Sequence, residues 1–299
     1  MLKRFFAPTI ALAALTFSPV MHAQAGGGKA AAQGDANENI HLDGWEKPQI
    51  SQELAGKKPG PAPAHDLTGV WEPAPRYRDG VFASGPPGIA GDAKHEATMP
   101  YTPAGKAAFL ANKPGFGTTM APISEINDPF DICDPIGFPR IELFNLRGVQ
   151  VVQTKNQVLI LYQNTRMFRT IWTDGRDFPK EIVENRWFGY SIGKWVDDYT
   201  FVVTTKGLDD RTWLDNVGHP HSTDMVVEET FHRLDSLNME LTIKITDPTM
   251  YTAPLVPLSK FRLGLNSEDF DLREMICSTS EQQLYNSLLH DAVPETPAK

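Results

Sequence analysis

From residue 141 to residue 277 the chain is a succession of short apolar runs that alternate with polar positions and are parted by turn residues. That pattern constrains the fold more than anything else in the sequence, because period-two alternation places one row of side chains in a core and the other in water. "VQVVQT" and "QVLILYQN" flank Lys155-Asn156, a hairpin signal. "RMFRTIWT" stops at "DGR", while "YSIGKWV" and "YTFVVTTKGL" flank Asp197-Asp198. "TDMVVEETFHRL", "MELTIKITD", "LSKFRLGL" and "DLREMIC" close the series. In "MELTIKITD" the apolar Leu241, Ile243 and Ile245 alternate with Thr242, Lys244 and Thr246. About eight to ten sequential strands joined mostly by short turns imply an all-β antiparallel meander. Closure into a barrel is the economical way to remove its edges.

Two helices frame this series. "TPAGKAAFLANKPG" has a capping Thr102, Pro103 at the first helical position and Asn112 with Pro114 as a stop. "SEQQLYNSLLHDA" after residue 279 reads as a terminal helix. "DLTGVWE", 66–72, is the first strand. Residues 26–65 are rich in Gly, Ala and Pro with little apolar periodicity, so a mobile leader is expected there. One domain, 66–299, follows.

The first 25 residues carry Lys3 and Arg4, then "FFAPTIALAALTF", then "AQA" at 23–25. This three-part pattern is that of a secretory signal peptide, so the mature chain is expected to be periplasmic or secreted. The apolar run is too short for a confident span, and no stable membrane insertion is expected. The formal charge is −9, and loss of the two cations Lys3 and Arg4 takes it to −11. An acidic chain without a basic stripe is a poor partner for nucleic acid. A small-molecule ligand or substrate remains, and oligomeric state leaves no mark in the sequence. In an exported chain, Cys133 and Cys277 read as one disulfide.

The densest polar stretch is "GLDDRTWLDNVGHPHSTD", 207–224. It lies between two strand-like runs and is longer than a hairpin needs, as loops that bind or catalyse often are. Trp213 and Leu214 offer an apolar anchor, and Gly218 and Pro220 restrict the backbone around His219. Three readings compete. His219 or His221 acts as general acid/base, oriented by Asp215 or Asp210, with Arg211 holding a substrate oxygen. The pair ligates a metal, completed by an acid such as Asp174 or Glu229. Or the stretch is a salt-bridged structural loop. The cupin-like His-x-His comparison fails on spacing, because Glu228 and Glu229 come too late after His221. No metal and no cofactor are therefore expected.

Other polar groups are expected to face the same cavity: Arg169 and Asp174 from "RTIWTDGR", Tyr190 from "WFGYSIGKW" and Glu229 from "MVVEETFHRL". On that last strand Val227, Glu229, Phe231 and Arg233 share one face. Phosphate-binding glycine loops and Cys-x-x-Cys do not occur in the chain.

Two resemblances bear on these expectations. The Gly-x-Trp of "DLTGVWE" resembles the opening of lipocalin-type barrels. "CDPIGFPR", "IWTDGR", "GYSIGKW" and "DDRTWLDNVGHPHS" together resemble an uncharacterised family of exported bacterial proteins of acidobacterial and sphingomonad type, from about Leu67 to Cys277. Members of that family carry a histidine where Val226 stands here and often one near Thr165, so a metal site built on those histidines would be lost in this chain. The resemblance implies a lipocalin-like barrel and the location of a site, but no activity. The expectation is then an enzyme with His/Asp acid-base chemistry on a small, partly apolar molecule in the barrel mouth, of lyase, isomerase, hydratase or hydrolase type. In that reading Trp213 and Tyr190 line the cavity while Arg211, Asp174, Arg169 and Glu229 bind substrate. The alternatives are a non-catalytic carrier of an apolar ligand and an envelope interaction module.

Overall fold

The structure is a computed structural model of the 299-residue chain. It describes residues 45–47, 50–74, 99–115, 117, 119–143 and 148–292, all within one compact unit spanning 40–299. The expected signal peptide, the first part of the expected leader and most of the proline-rich segment 73–100 lie outside the described residues.

Nine strands close into a barrel in sequence order. They are β1 (Gly69–Pro73), β2 (Val149–Gln153), β3 (Gln157–Tyr162), β4 (Phe168–Trp172) and β5 (Tyr190–Trp195), then β6 (Thr200–Lys206), β7 (Val226–Arg233), β8 (Asn238–Thr246) and β9 (Leu255–Leu265). The helices are α1 (Pro103–Ala111), the single turn α2 (Arg140–Leu143) and α3 (Thr279–Ala292). The all-β barrel of lipocalin-like type is thus present. "DLREMIC" is the exception among the expected strands: it forms only an isolated bridge, Met275 to Asn164. It follows the last barrel strand, with no free edge left to join.

A second correction concerns direction. The meander is antiparallel except where β4 and β5 pair in parallel, Ile171 beside Ser191. The need is geometric. Nine strands in strict alternation would bring β1 and β9 together parallel, whereas they pair antiparallel, Trp71 beside Leu265. One parallel seam restores the alternation. The long connection 173–189 makes it possible by carrying the chain back along the barrel before β5 begins.

The two ends of the barrel differ. Tight turns at 154–156, 196–199 and 234–237 close one end. The other, which we call the rim, carries 163–167, 207–225 and 247–254. Inward residues alternate with outward ones along every central strand, as in Val158, Ile160 and Tyr162 of β3 or Phe201, Val203 and Thr205 of β6. These side chains join Trp71, Ile171, Leu241, Ile243 and Phe261 in one core.

The rim is not an open mouth. The segment 136–143 plugs it, with Ile136, Phe138, Ile141 and Leu143 fully buried in the barrel core. Gly137, at φ 73°, touches the rim loop so closely that a Cβ would strike Thr212. Helix α1 packs alongside. Thr102 caps it by accepting from the Gly105 N–H, and the Thr102 N–H donates to the carbonyl of Met250.

The described part of the expected mobile leader is tied down. Gln52 N–H donates to Leu265 O, Gly60 N–H to Ser236 Oγ and His65 N–H to Asp198 O, so 50–65 is laid along the barrel wall. Its sparse apolar content leaves this segment held by backbone hydrogen bonds rather than by a core of its own. Cys133 and Cys277 form a disulfide with Cα atoms 5.5 Å apart, linking the segment before the plug to the chain entering α3. None of the described helices is long and apolar enough to cross a membrane.

Candidate functional site

The rim loop begins at Gly207, whose φ of 69° lets the chain leave β6. Leu208 and Leu214 are fully buried and Trp213 nearly so, which anchors the loop as the sequence pattern implied. Asp215 then organises the next turn. Its Oδ1 accepts from the backbone N–H groups of Val217 and His219, the habit of an aspartate that turns its own chain. Its Oδ2 lies 2.5 Å from His219 Nδ1. A neutral ring that donates from Nδ1 to this carboxylate keeps its lone pair on Nε2.

His219 is 1% exposed. Phe109 of α1 stacks on its ring at 5.3 Å, and Tyr101 lies beyond at 6.3 Å. Nε2 is buried and finds no hydrogen-bond partner among the described residues. The backbone around it is satisfied: Leu214 N–H donates to His219 O, Asn112 Nδ2 to Gly218 O, and Tyr251 OH to Pro220 O. His221 points elsewhere, its Nε2 2.7 Å from Thr212 Oγ1. Burial pushes the His221 pKa below the usual histidine value, favouring the neutral ring. Ser222 ends the loop, donating from N–H and Oγ to Asp247 at 2.7 and 2.8 Å.

Inside the barrel, beneath the plug, lies a second polar assembly. Arg169 of β4 reaches across to Glu229 of β7, its Nη2 at 2.8 and 2.7 Å from the two carboxylate oxygens. Glu142 of α2 approaches the same guanidinium, with Oε1 3.7 Å from Nη1, and accepts from Tyr162 OH at 2.6 Å. The ring of Phe138 lies 4.0 Å from the guanidinium carbon. All four polar residues are buried.

Two carboxyls and one guanidinium in a desolvated space cannot all stay charged without leaving net negative charge. Burial pushes the Glu229 pKa up to about 8; Arg169 opposes the rise and Glu142 adds to it. Burial and the two carboxylates also hold the Tyr162 hydroxyl well above its ordinary value, against the pull of Arg169. Burial works against the charge of Arg169, yet Glu229, Tyr162 and Glu142 outweigh it and keep the guanidinium charged. Near neutral pH Glu229 therefore holds its proton.

Asp215 with His219 on the one hand, and Arg169 with Glu229 on the other, are thus brought together as pairs at the rim end. The remaining expected site residues are not. Arg211 is exposed, bound to its neighbour Asp209 at 2.7 Å and stacked on Trp187 at 4.2 Å. Asp174 lies beyond the turn end of β4, opposite the histidines, bound to Arg176 at 2.6 Å. In both, an aspartate two residues before an arginine binds it locally, and the arginine lies in solvent. Tyr190 faces outward next to the inward Ser191 and donates to Glu184 O. Trp213 is packed into the loop's own base, 5.8 Å from the Arg140 guanidinium, and lines no mouth. His221 is separated in role from His219 by its bond to Thr212. Among the described residues no group of three or more His, Cys, Asp or Glu is arranged to hold a metal ion.

Glu142 and Tyr162 are the members that sequence reasoning missed. Each left a trace. Glu142 is the one acid in the apolar run "IELF", and Tyr162 continues the inward alternation of Val158 and Ile160.

The protein is thus an all-β closed barrel, lipocalin-like in class, whose rim is plugged by its own chain. Comparison with known proteins adds no relative: no family model matches the chain, nor does any curated protein or solved structure.

Proposed function

We propose that this is an exported enzyme that moves a proton on a small, partly apolar molecule, with Asp215–His219 as the acid-base pair. Lyase, isomerase, hydratase and hydrolase reactions all fall in that class. The observation that carries the reading is the pair itself: Nδ1 held by a buried carboxylate at 2.5 Å, Nε2 buried and without a hydrogen-bond partner among the described residues. A carboxylate that fixes the tautomer leaves Nε2 as base, and its later protonation is stabilised by the same carboxylate. His221 and Glu229 support rather than perform the step in this reading. Phe109 and Tyr101 supply the apolar wall. Admission of a substrate requires the segment 99–112 to move away from His219. The disulfide and the N-terminal pattern of residues 1–25 support an oxidising, extracytoplasmic setting.

The second reading, a carrier without turnover, rests on the closure of the rim by 136–143. A substrate screen with mass-spectrometric readout separates the two, using small esters, epoxides and β-hydroxycarbonyl compounds. The enzyme reading expects at least one compound to be converted by the wild type. It also expects His219→Gln, while still folding cooperatively, to convert it about 100-fold or more slowly. Conversion by His219→Gln and Asp215→Asn at the wild-type rate would sink the assignment. Binding without conversion by the wild type would favour the carrier.

A further inference from the structure

The centre inside the barrel has hydrogen-bonding capacity left over. Arg169 Nε and Nη1 and Glu142 Oε2 are buried, and none has a hydrogen-bond partner among the described residues. Three such atoms on two adjoining side chains are unusual, since buried polar groups are nearly always paired. Their chemistry is also complementary. The guanidinium offers N–H donors and the carboxyl offers an acceptor oxygen, with Nη1 3.7 Å from Glu142 Oε1, too far for a direct hydrogen bond.

A guest between them must accept from Arg169 and donate to Glu142. A carboxylate or phosphate only accepts, and would add negative charge beside Glu142 and Glu229. An ammonium only donates, and would face Arg169. A hydroxyl group does both through one atom and brings no charge. Tyr162 already donates to Glu142 Oε1 and the Glu229 carboxyl lies against the same group, so Oε2 is the Glu142 oxygen that a guest would reach. Phe138 covers the face of the guanidinium, so its edge is the route for a further hydrogen bond.

We propose that Arg169 and Glu142 form a hydroxyl-binding subsite inside the barrel, beneath the plug. The O–H comes either from an ordered water or from a neutral alcohol ligand. The subsite stands whether or not His219 acts as a base, because it shares no residue with that pair.

The test is a high-resolution crystal structure of the mature protein, alone and soaked with 2-bromoethanol, whose bromine is located by anomalous scattering. An oxygen within hydrogen-bond distance of both Glu142 Oε2 and an Arg169 N–H is the expected result. A bromine peak beside it in the soaked crystal assigns the hydroxyl to an alcohol ligand. The oxygen without bromine assigns it to water and removes the alcohol source. Arg169 Nη1 closed directly onto Glu142 Oε2 with nothing between would overturn the proposal. In solution, if an alcohol is taken, Glu142→Gln should bind the probe about tenfold more weakly by thermal-shift titration. Unaltered probe binding in that variant would remove the alcohol source from this subsite.

Discussion

The rim loop and the barrel interior both hold buried polar groups, yet they are built on opposite principles. In the rim loop the paired histidines find partners close in sequence, Asp215 with His219 and Thr212 with His221, and only Ser222 reaches further, to Asp247 beyond the β7–β8 hairpin. Most of its bonds run to backbone, and of the buried side-chain atoms of 212–222 only His219 Nε2 and Asn216 Oδ1 lack a partner among the described residues. The interior centre takes one residue each from α2, β3, β4 and β7, concentrates two carboxyls on one guanidinium, and leaves three atoms unpaired. A loop can satisfy itself locally because the chain turns back within a few residues. A lumen gathers side chains whose backbones are committed to the sheet, so their valences must be met by one another or by a guest.

The sharpest way to break this contrast is Arg169→Met. It strands two buried carboxyls, and a loss of about 3–5 kcal/mol in urea unfolding is expected near neutral pH. A loss below about 1 kcal/mol, the range of surface pairs, would mean the centre is not charged as described.

On the loop side, Asp215→Ala removes the acceptor of two backbone N–H groups and of His219 Nδ1. The expected cost is about 2–3 kcal/mol, at the level of a buried unsatisfied group. Gly105→Ala probes the same region from above, because a Cβ there would strike the Met250 carbonyl. About 1–3 kcal/mol of strain is expected. It should come with faster hydrogen exchange of the His219 imidazole as α1 loosens.

Acid–base behaviour separates the two regions further. The folded pKa of Glu229, about 8, lies above the ordinary 4.5, so the folded state holds the extra proton. Stability from this group is therefore full below about pH 4.5 and declines as pH rises through about 8. Unfolding free energies measured from pH 5 to 8 should fall with a slope that Glu229→Gln abolishes. A slope unchanged in the variant would place the proton elsewhere. The smallest effect belongs to the outer face of the same strand pair. Glu228 and Lys244 meet at 2.6 Å, both about half exposed, and Lys244→Ala should cost under about 1 kcal/mol.

Legibility follows the same division. The Asp215–His219 pair could be found because both residues fall in one dense polar stretch, four positions apart. Arg169 and Glu229 were each noticed, but 60 residues separate them and nothing local announces that they meet. Arg211 and Asp174 misled for the converse reason. In "DDR" and "DGR" an acid near in sequence captures the arginine, and burial has no part in it. The plug was not legible at all, because "CDPIGFPRIEL" carries neither helical nor alternating periodicity over a useful length.

What the sequence determined by itself is the set of local elements: alternating strands, the hairpin at Lys155-Asn156, the Thr102 cap and a cysteine pair fit to be oxidised. Apart from the cysteine pair, each rests on forces acting over a few residues. Tertiary structure alone decided the parallel seam between β4 and β5, the closing of the rim by residues 136–143 and the meeting of Glu142, Tyr162, Arg169 and Glu229. The physical reason is closure. Once nine strands form a ring, direction must balance around it and every inward residue shares one interior, a condition on the whole chain that no short stretch contains.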